Sequence, residues 1–185
     1  MDYRKTVSAV LGEIEAVLSI IDSREIGDLT QDILRSNKIF LMGAGRVMFI
    51  LHTFAKRLSQ MRLDVHIIGS TTAPPVASGD LLIIASCSGK TVTPVAVAEK
   101  ARQTGANLWS ITAGGDSPLT RFCGRILLIP CAKDSGDGSG RASVQPLNNL
   151  FEQVLHLLLD YIGWVVQETK SFSEEDLWKR HANIE

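Results

Sequence analysis

Cysteine is scarce in this chain. Three occur among 185 residues, Cys87, Cys123 and Cys131, with no CxxC pair and no metal-ligand spacing. An odd, scattered set argues against a disulfide framework or a metal site and favours a reducing cytoplasm. Charge of one sign is also missing. Nineteen Lys and Arg face 20 Asp and Glu, a net charge of -1, so no basic footprint points to nucleic acid. Long apolar runs are absent. The most apolar segment, residues 154–166, is broken by His156 and Asp160; it is short for a membrane span and reads as a buried helix. Met1, Asp2, Tyr3 and Arg4 do not open an apolar leader. There is no internal repeat. A nucleotide P-loop is lacking too. Gly89-Lys90-Thr91 looks like the end of one, but the glycine needed five residues earlier is Ile84.

What is present centres on residues 81–93, LLIIASCSGKTVT. The apolar run 81–85 reads as a fully buried strand. Ser86, Cys87, Ser88, Gly89 and Thr91 follow it, and a helical pattern begins with Val92, Val95, Ala96, Ala98 and Ala101. A strand that ends in hydroxyls and glycine at a helix start is suited to an anion, above all a phosphate. Exposed N–H groups and the helix dipole both point there. A tight polar turn with no ligand fits the same residues equally well.

Around this stretch the pattern alternates. Residues 6–21 and 26–34 have helical spacing; one of these helices packs on another subunit or caps the sheet. Strands are expected at 38–42, 65–68, 81–85, 107–112 and 125–129, and helices at 49–58, 96–103 and from Pro146 onward. Pro118 suits an early helix position after Ser117. Residues 132–143 are glycine- and serine-rich and read as a mobile loop. Ser173 followed by three acids opens a short last helix. Gly43 and Gly45 suggest a dinucleotide turn, but the third position of that fingerprint is Met48, so a plain tight turn fits better. Arg46 beside it faces the carboxyl end of the sheet. The whole is an α/β chain, a three-layer αβα sandwich on a five-stranded parallel sheet. It is expected to be one domain over 1–185, with N-terminal helices to 36, a core over 37–145 and C-terminal helices from 146. Ligands bind at the carboxyl ends of such strands.

These loops, in order, resemble those of the SIS (sugar isomerase) domain family. GAGR at 43–46, TTAPP at 71–75, S-x-S-G-x-T at 86–91, SPL at 117–119, QPL…LFEQ at 145–153 and RHANIE at 180–185 are similar to the 6-phospho-3-hexuloisomerases. That resemblance implies a flavodoxin-like fold and conversion of arabino-3-hexulose 6-phosphate to fructose 6-phosphate, with no metal or cofactor. It implies that Ser86, Ser88 and Thr91 hold the phosphate, with Gly45, Arg46, Gly89 and Lys90 around it. Glu152 would be the catalytic base and His181 a second acid/base or orienting group. Homotetramers are implied, in which His181 serves a neighbour's site. The chain departs from the family at Val47-Met48, Cys87, Lys90 and Asn148-Asn149; Lys90 adds positive charge where the hydroxyl usual at position 47 is lost.

The chemistry agrees with the resemblance. Moving a carbonyl from C3 to C2 needs one base for the carbon protons and one group for the hydroxyl protons. Glu152 lies between apolar neighbours on a helix, a setting that fits a carboxylate for proton transfer. Read from the residues alone, Glu152 suits a salt bridge on a half-exposed helix face and His181 a surface position in a tail. A non-catalytic phosphosugar-binding module is the alternative function. His52, His66 and His156 read as structural. Trp109, Trp164 and Trp178 read as packing residues.

Overall fold

Alternate side chains along the central strands go to opposite faces, so continuously apolar strands need cover on both sides. The computed structural model, which describes residues 2–131 and 143–184, provides it. Strands β1 (Ile39–Met42), β2 (Val65–Ile67), β3 (Leu81–Ala85), β4 (Asn107–Thr112) and β5 (Arg125–Leu128) form one sheet in the order β2-β1-β3-β4-β5. Every pairing is parallel. This order reverses direction between β1 and β3, the place where doubly wound sheets open a crevice at their carboxyl ends.

One face carries Ile39, Leu41, Leu81, Ile83, Trp109, Ile111 and Leu127. They pack under α1 (Tyr3–Leu18), α2 (Ser23–Arg35), α3 (Arg46–Gln60), α5 (Asn149–Thr169) and the short α6 (Glu174–Trp178). The other face carries Phe40, Met42, Leu82, Ile84 and Leu108, under Ala98 and Ala101 of α4 (Val92–Ala101) and Leu119. The expected three-layer α/β sandwich is present. β4 begins and ends where the sequence places it, and β3 likewise.

Several boundaries differ, each for a local reason. Helix α1 starts at Tyr3 because Asp2 accepts from Lys5 N, and it stops before Asp22, which caps α2. Helix α3 starts at Arg46, three residues earlier than expected, because Gly45 at φ +58° turns the chain directly out of β1. No helix follows Pro118. Residues 117–122 form a turn in which Thr120 N donates to Ser117 Oγ, and Leu119 N is committed to Gly89 O at 3.0 Å. Helix α5 begins at Asn149, after a turn in which Asn149 N donates to Pro146 O. The final helix is as expected, with a reciprocal capping box between Ser173 and Asp176. The expected glycine-rich loop lies outside the described residues, except for Ser143.

Val92 is exposed at the head of α4, which buries Pro94, Ala98 and Ala101 instead. Trp109 is buried as a packing residue, but Trp164 and Trp178 are not: 65% and 63% of each is exposed. Among the described residues no helix is long and apolar enough to cross a membrane.

Carboxylates on the outer helices tie them to the rest of the fold. Asp32 on α2 accepts from Trp109 Nε1 at 2.8 Å and from Asn107 Nδ2 at 2.7 Å. Glu13 on α1 takes Ser143 Oγ, Val144 N and Gln145 Nε2, which delivers the chain to the start of α5. Removing the first acceptor leaves a buried indole N–H unpaired. Asp32→Ala is therefore expected to lower the unfolding free energy by about 1–3 kcal/mol in urea titrations. Asp32→Asn, which keeps an acceptor, should lose less.

Candidate active site

Three helices open onto the carboxyl ends of the strands, and none is capped by a side chain. Gly45 precedes α3, Thr91 precedes α4 and Asn148 precedes α5, and none makes a side-chain cap hydrogen bond. The three helices elsewhere, α1, α2 and α6, are capped by Asp2, Asp22 and Ser173. Unspent N–H groups and the positive ends of three dipoles are thus concentrated at one edge of the sheet. Such an edge favours an anion.

The loop from β3 to α4 is shaped for close approach. Ser86 is buried, and its Oγ lies 3.1 Å from Thr91 Oγ1, so the hydroxyl that would cap α4 turns back into the loop. Gly89 N donates to Ser86 O at 3.1 Å, and Gly89 has φ +61°. A Cβ at position 89 would lie 2.2 Å from Ser117 Oγ, so only glycine fits there. Ser88 and Lys90 are exposed at the rim, with Lys90 N donating to Ser88 Oγ at 3.2 Å. Beneath the loop, Ala113 N and Thr112 Oγ1 both donate to Cys87 O.

Across the edge, Arg46 meets Glu152. Arg46 Nε donates to Glu152 Oε2 at 2.5 Å. The two residues are 106 positions apart and stand in the first turns of α3 and α5. Their burial is unequal: the Glu152 side chain is 10% exposed and that of Arg46 is 72% exposed. A carboxylate in a first turn is favoured by the dipole; a guanidinium there is not, and Glu152 offsets that. Glu152 therefore does make a salt bridge, but from a buried position at the strand ends.

The remaining expected residues divide clearly. Gly45, Arg46, Ser86, Ser88, Gly89, Lys90, Thr91 and Glu152 all lie at this edge. His181 does not. It packs on Trp178, ring centroids 4.9 Å apart, in a groove with Arg57 and Gln60. Those residues end α3, whereas Arg46 begins it, and a helix of 15 residues is roughly 20 Å long. Within one chain His181 is thus remote from Glu152. Val47, where a hydroxyl is usual, is turned inward, so that a Cβ on Gly43 would meet its Cγ1 at 3.1 Å. Among the described residues no cluster of His, Cys, Asp or Glu is arranged to hold a metal ion.

Sequence reasoning assigned no role to Thr112 or Cys131 and marked Ser117 only as a helix start and part of a family motif; Thr112 and Ser117 brace the loop. The Cys131 thiol lies near enough to Cys87 to act on its titration. That proximity holds the Cys87 thiol below its ordinary pKa, against burial and the charge of Glu152. The same proximity, with burial, pushes the Cys131 thiol up.

Residues 32–155 match the family model described as the SIS domain. The 3-hexulose-6-phosphate isomerase of Mycobacterium gastri is 35% identical over 184 residues, covering 100% of this chain and 92% of that protein. The Bacillus subtilis (strain 168) protein of the same name is 34% identical, with 100% of both chains covered. Among solved structures, a Methanococcus jannaschii protein, for which a 3-hexulose-6-phosphate isomerase function was inferred, superposes with a TM-score of 0.84 at 25% identity. The match covers 98% of this chain and 99% of that one. With the family model spanning well over half its length, this chain belongs to the SIS domain family.

Proposed function

We propose that this chain is a sugar-phosphate isomerase that interconverts arabino-3-hexulose 6-phosphate and fructose 6-phosphate. The observation that carries the reading is the Arg46–Glu152 pair, set beside an uncapped hydroxyl loop at one edge of the sheet. The substrate's phosphate sits on Ser86, Ser88, Gly89 and Thr91, with Gly45 and Lys90 at the rim and the α4 dipole behind it. That grip fixes a small, flexible sugar relative to the base. Glu152 takes the proton from C2, leaving an enediolate across C2 and C3, and returns a proton to C3. Arg46 holds Glu152 through Nε, and its exposed guanidinium edge faces the oxygens on which charge develops. The reaction needs neither metal nor nucleotide.

Hydroxyl protons need a second group, and His181 reaches the site only from a neighbouring copy. Apolar surface supports such an assembly. Tyr3, Val7 and Leu11 on α1 and Leu157, Tyr161 and Trp164 on α5 lie exposed at helical spacing on two helices that pack together. We read the assembly as a homotetramer acting in the cytoplasm, each chain one domain. The retained base and the built Arg46 contact favour an enzyme over a binding module.

Glu152→Gln should lower turnover by about 10²–10⁴-fold in a coupled assay for fructose 6-phosphate, with substrate affinity kept. Replacing Ser88 and Thr91 together by alanine should instead raise KM by roughly 10–100-fold, because charge-assisted hydrogen bonds are lost. His181→Ala and Glu152→Gln should each be nearly inactive alone. Mixed and allowed to exchange subunits, they should recover turnover, since one kind of mixed site then holds both native groups. No recovery would place His181 in its own chain's site or outside catalysis.

A further inference from the structure

Among the described residues, Arg62, Leu147 and Ser171 have positive φ without being glycine. Arg62 and Ser171 stand just past the ends of α3 and α5, where a left-handed residue ordinarily closes a helix. Leu147 instead precedes a helix. Asn149 N donates to Pro146 O at 3.2 Å, so residues 146–149 form a turn with Leu147 and Asn148 at its centre. Leu147 at φ +50° followed by Asn148 at φ -101° and ψ 17° is the order of a type II′ turn. The first central position of such a turn favours glycine, because a Cβ is crowded there. A leucine in that place is strained. It is also 92% exposed, so burial within the chain does not offset the strain. Glu13 holds Val144 N and Gln145 Nε2 on one side and α5 fixes Asn149 on the other, which keeps the strained turn in place.

The place of this turn gives the leucine a use. Asn148 O accepts from Glu152 N at 3.0 Å, so the strained turn sits directly on the helical turn that carries Glu152. Side chains on a helix lean toward its N-terminus, which directs the Glu152 carboxylate to the end where Leu147 stands, about one helical turn away. The other side chains of the candidate site, those of Arg46, Ser86, Ser88, Lys90 and Thr91, offer charge and hydroxyls. A sugar phosphate also carries a chain of C–H groups, and a carboxylate that moves carbon protons works best with bulk water kept off. We propose that Leu147 is a specificity residue of this site, held by its turn so that the side chain lies over the C–H face of the bound sugar phosphate and keeps water from Glu152, an inference that rests on the placement of the sugar phosphate given above. The residue then has a ligand to bury it, which the chain alone does not supply.

The test compares full-length Leu147→Gly, Leu147→Ala and Leu147→Met with the wild type. Glycine relieves the turn and alanine keeps its strain, while both remove the side chain. In calorimetry both should bind fructose 6-phosphate about 10-fold more weakly, the scale of a lost apolar contact with a ligand. Both should bind inorganic phosphate as the wild type does. Leu147→Met should recover the affinity for fructose 6-phosphate. Leu147→Gly should unfold at no lower urea concentration than the wild type, which separates the loss from misfolding. Undiminished affinity for fructose 6-phosphate in the glycine and alanine variants overturns the role of Leu147. So does an equal loss for inorganic phosphate, which places the damage in the phosphate loop. A change of oligomeric state in sedimentation also overturns it, because Leu147 would then pack on a second copy. Wild-type turnover of arabino-3-hexulose 6-phosphate is measured alongside. Its absence, with the affinity pattern intact, would count against the isomerase reading alone and uphold Leu147 as a sugar-phosphate contact.

Discussion

A carboxylate buried at the edge of a sheet needs a cation, and Glu152 has Arg46. This contact sets the geometry of the candidate site. It ties the first turn of α3 to the first turn of α5, elements that enter the fold about a hundred residues apart. It also holds one carboxylate oxygen, which restricts the rotation of Glu152 toward the crevice. Because the guanidinium is largely exposed, the pair leaves its remaining donors toward solvent. The rest of the edge follows from topology. Parallel strands put every following helix N-terminus on one side, and three of those helices leave their caps open.

The departures from the usual pattern have physical roles. Val47 is not a failed ligand but a core residue, packed against the backbone at Gly43. Cys87 keeps its carbonyl in the bracing contacts to Thr112 and Ala113. Lys90 stands exposed at the rim, where a positive charge favours an approaching anion. Gly89 has no such latitude, since Ser117 occupies the space a side chain would need.

Much of the fold was legible because strand burial writes itself into local composition. The runs 81–85 and 107–112 carry enough apolar and β-branched residues to mark strands by themselves. Helix starts were read less well. They depend on single backbone events, such as the left-handed Gly45, or on a cap one residue outside the periodic pattern, as at Asp2. Pro118 misled because a long-range bond from Leu119 N to Gly89 O outweighs a local preference. The two exposed tryptophans misled because apolar character does not say whether a partner lies inside the same chain. At the site, the hydroxyl loop was readable as an anion turn. The pairing of Arg46 with Glu152 was not, since it joins distant segments. The remoteness of His181 followed only from the course of α3.

Isotope exchange tests the central claim most directly: proton transfer at carbon by Glu152 through an enediol. Fructose 6-phosphate is incubated with the protein in deuterium oxide and followed by proton NMR. The account predicts that the C3 hydrogen is replaced by deuterium while the C1 hydrogens persist, and that Glu152→Gln abolishes the exchange. Exchange at C1 instead, or C3 exchange that survives Glu152→Gln, would contradict it.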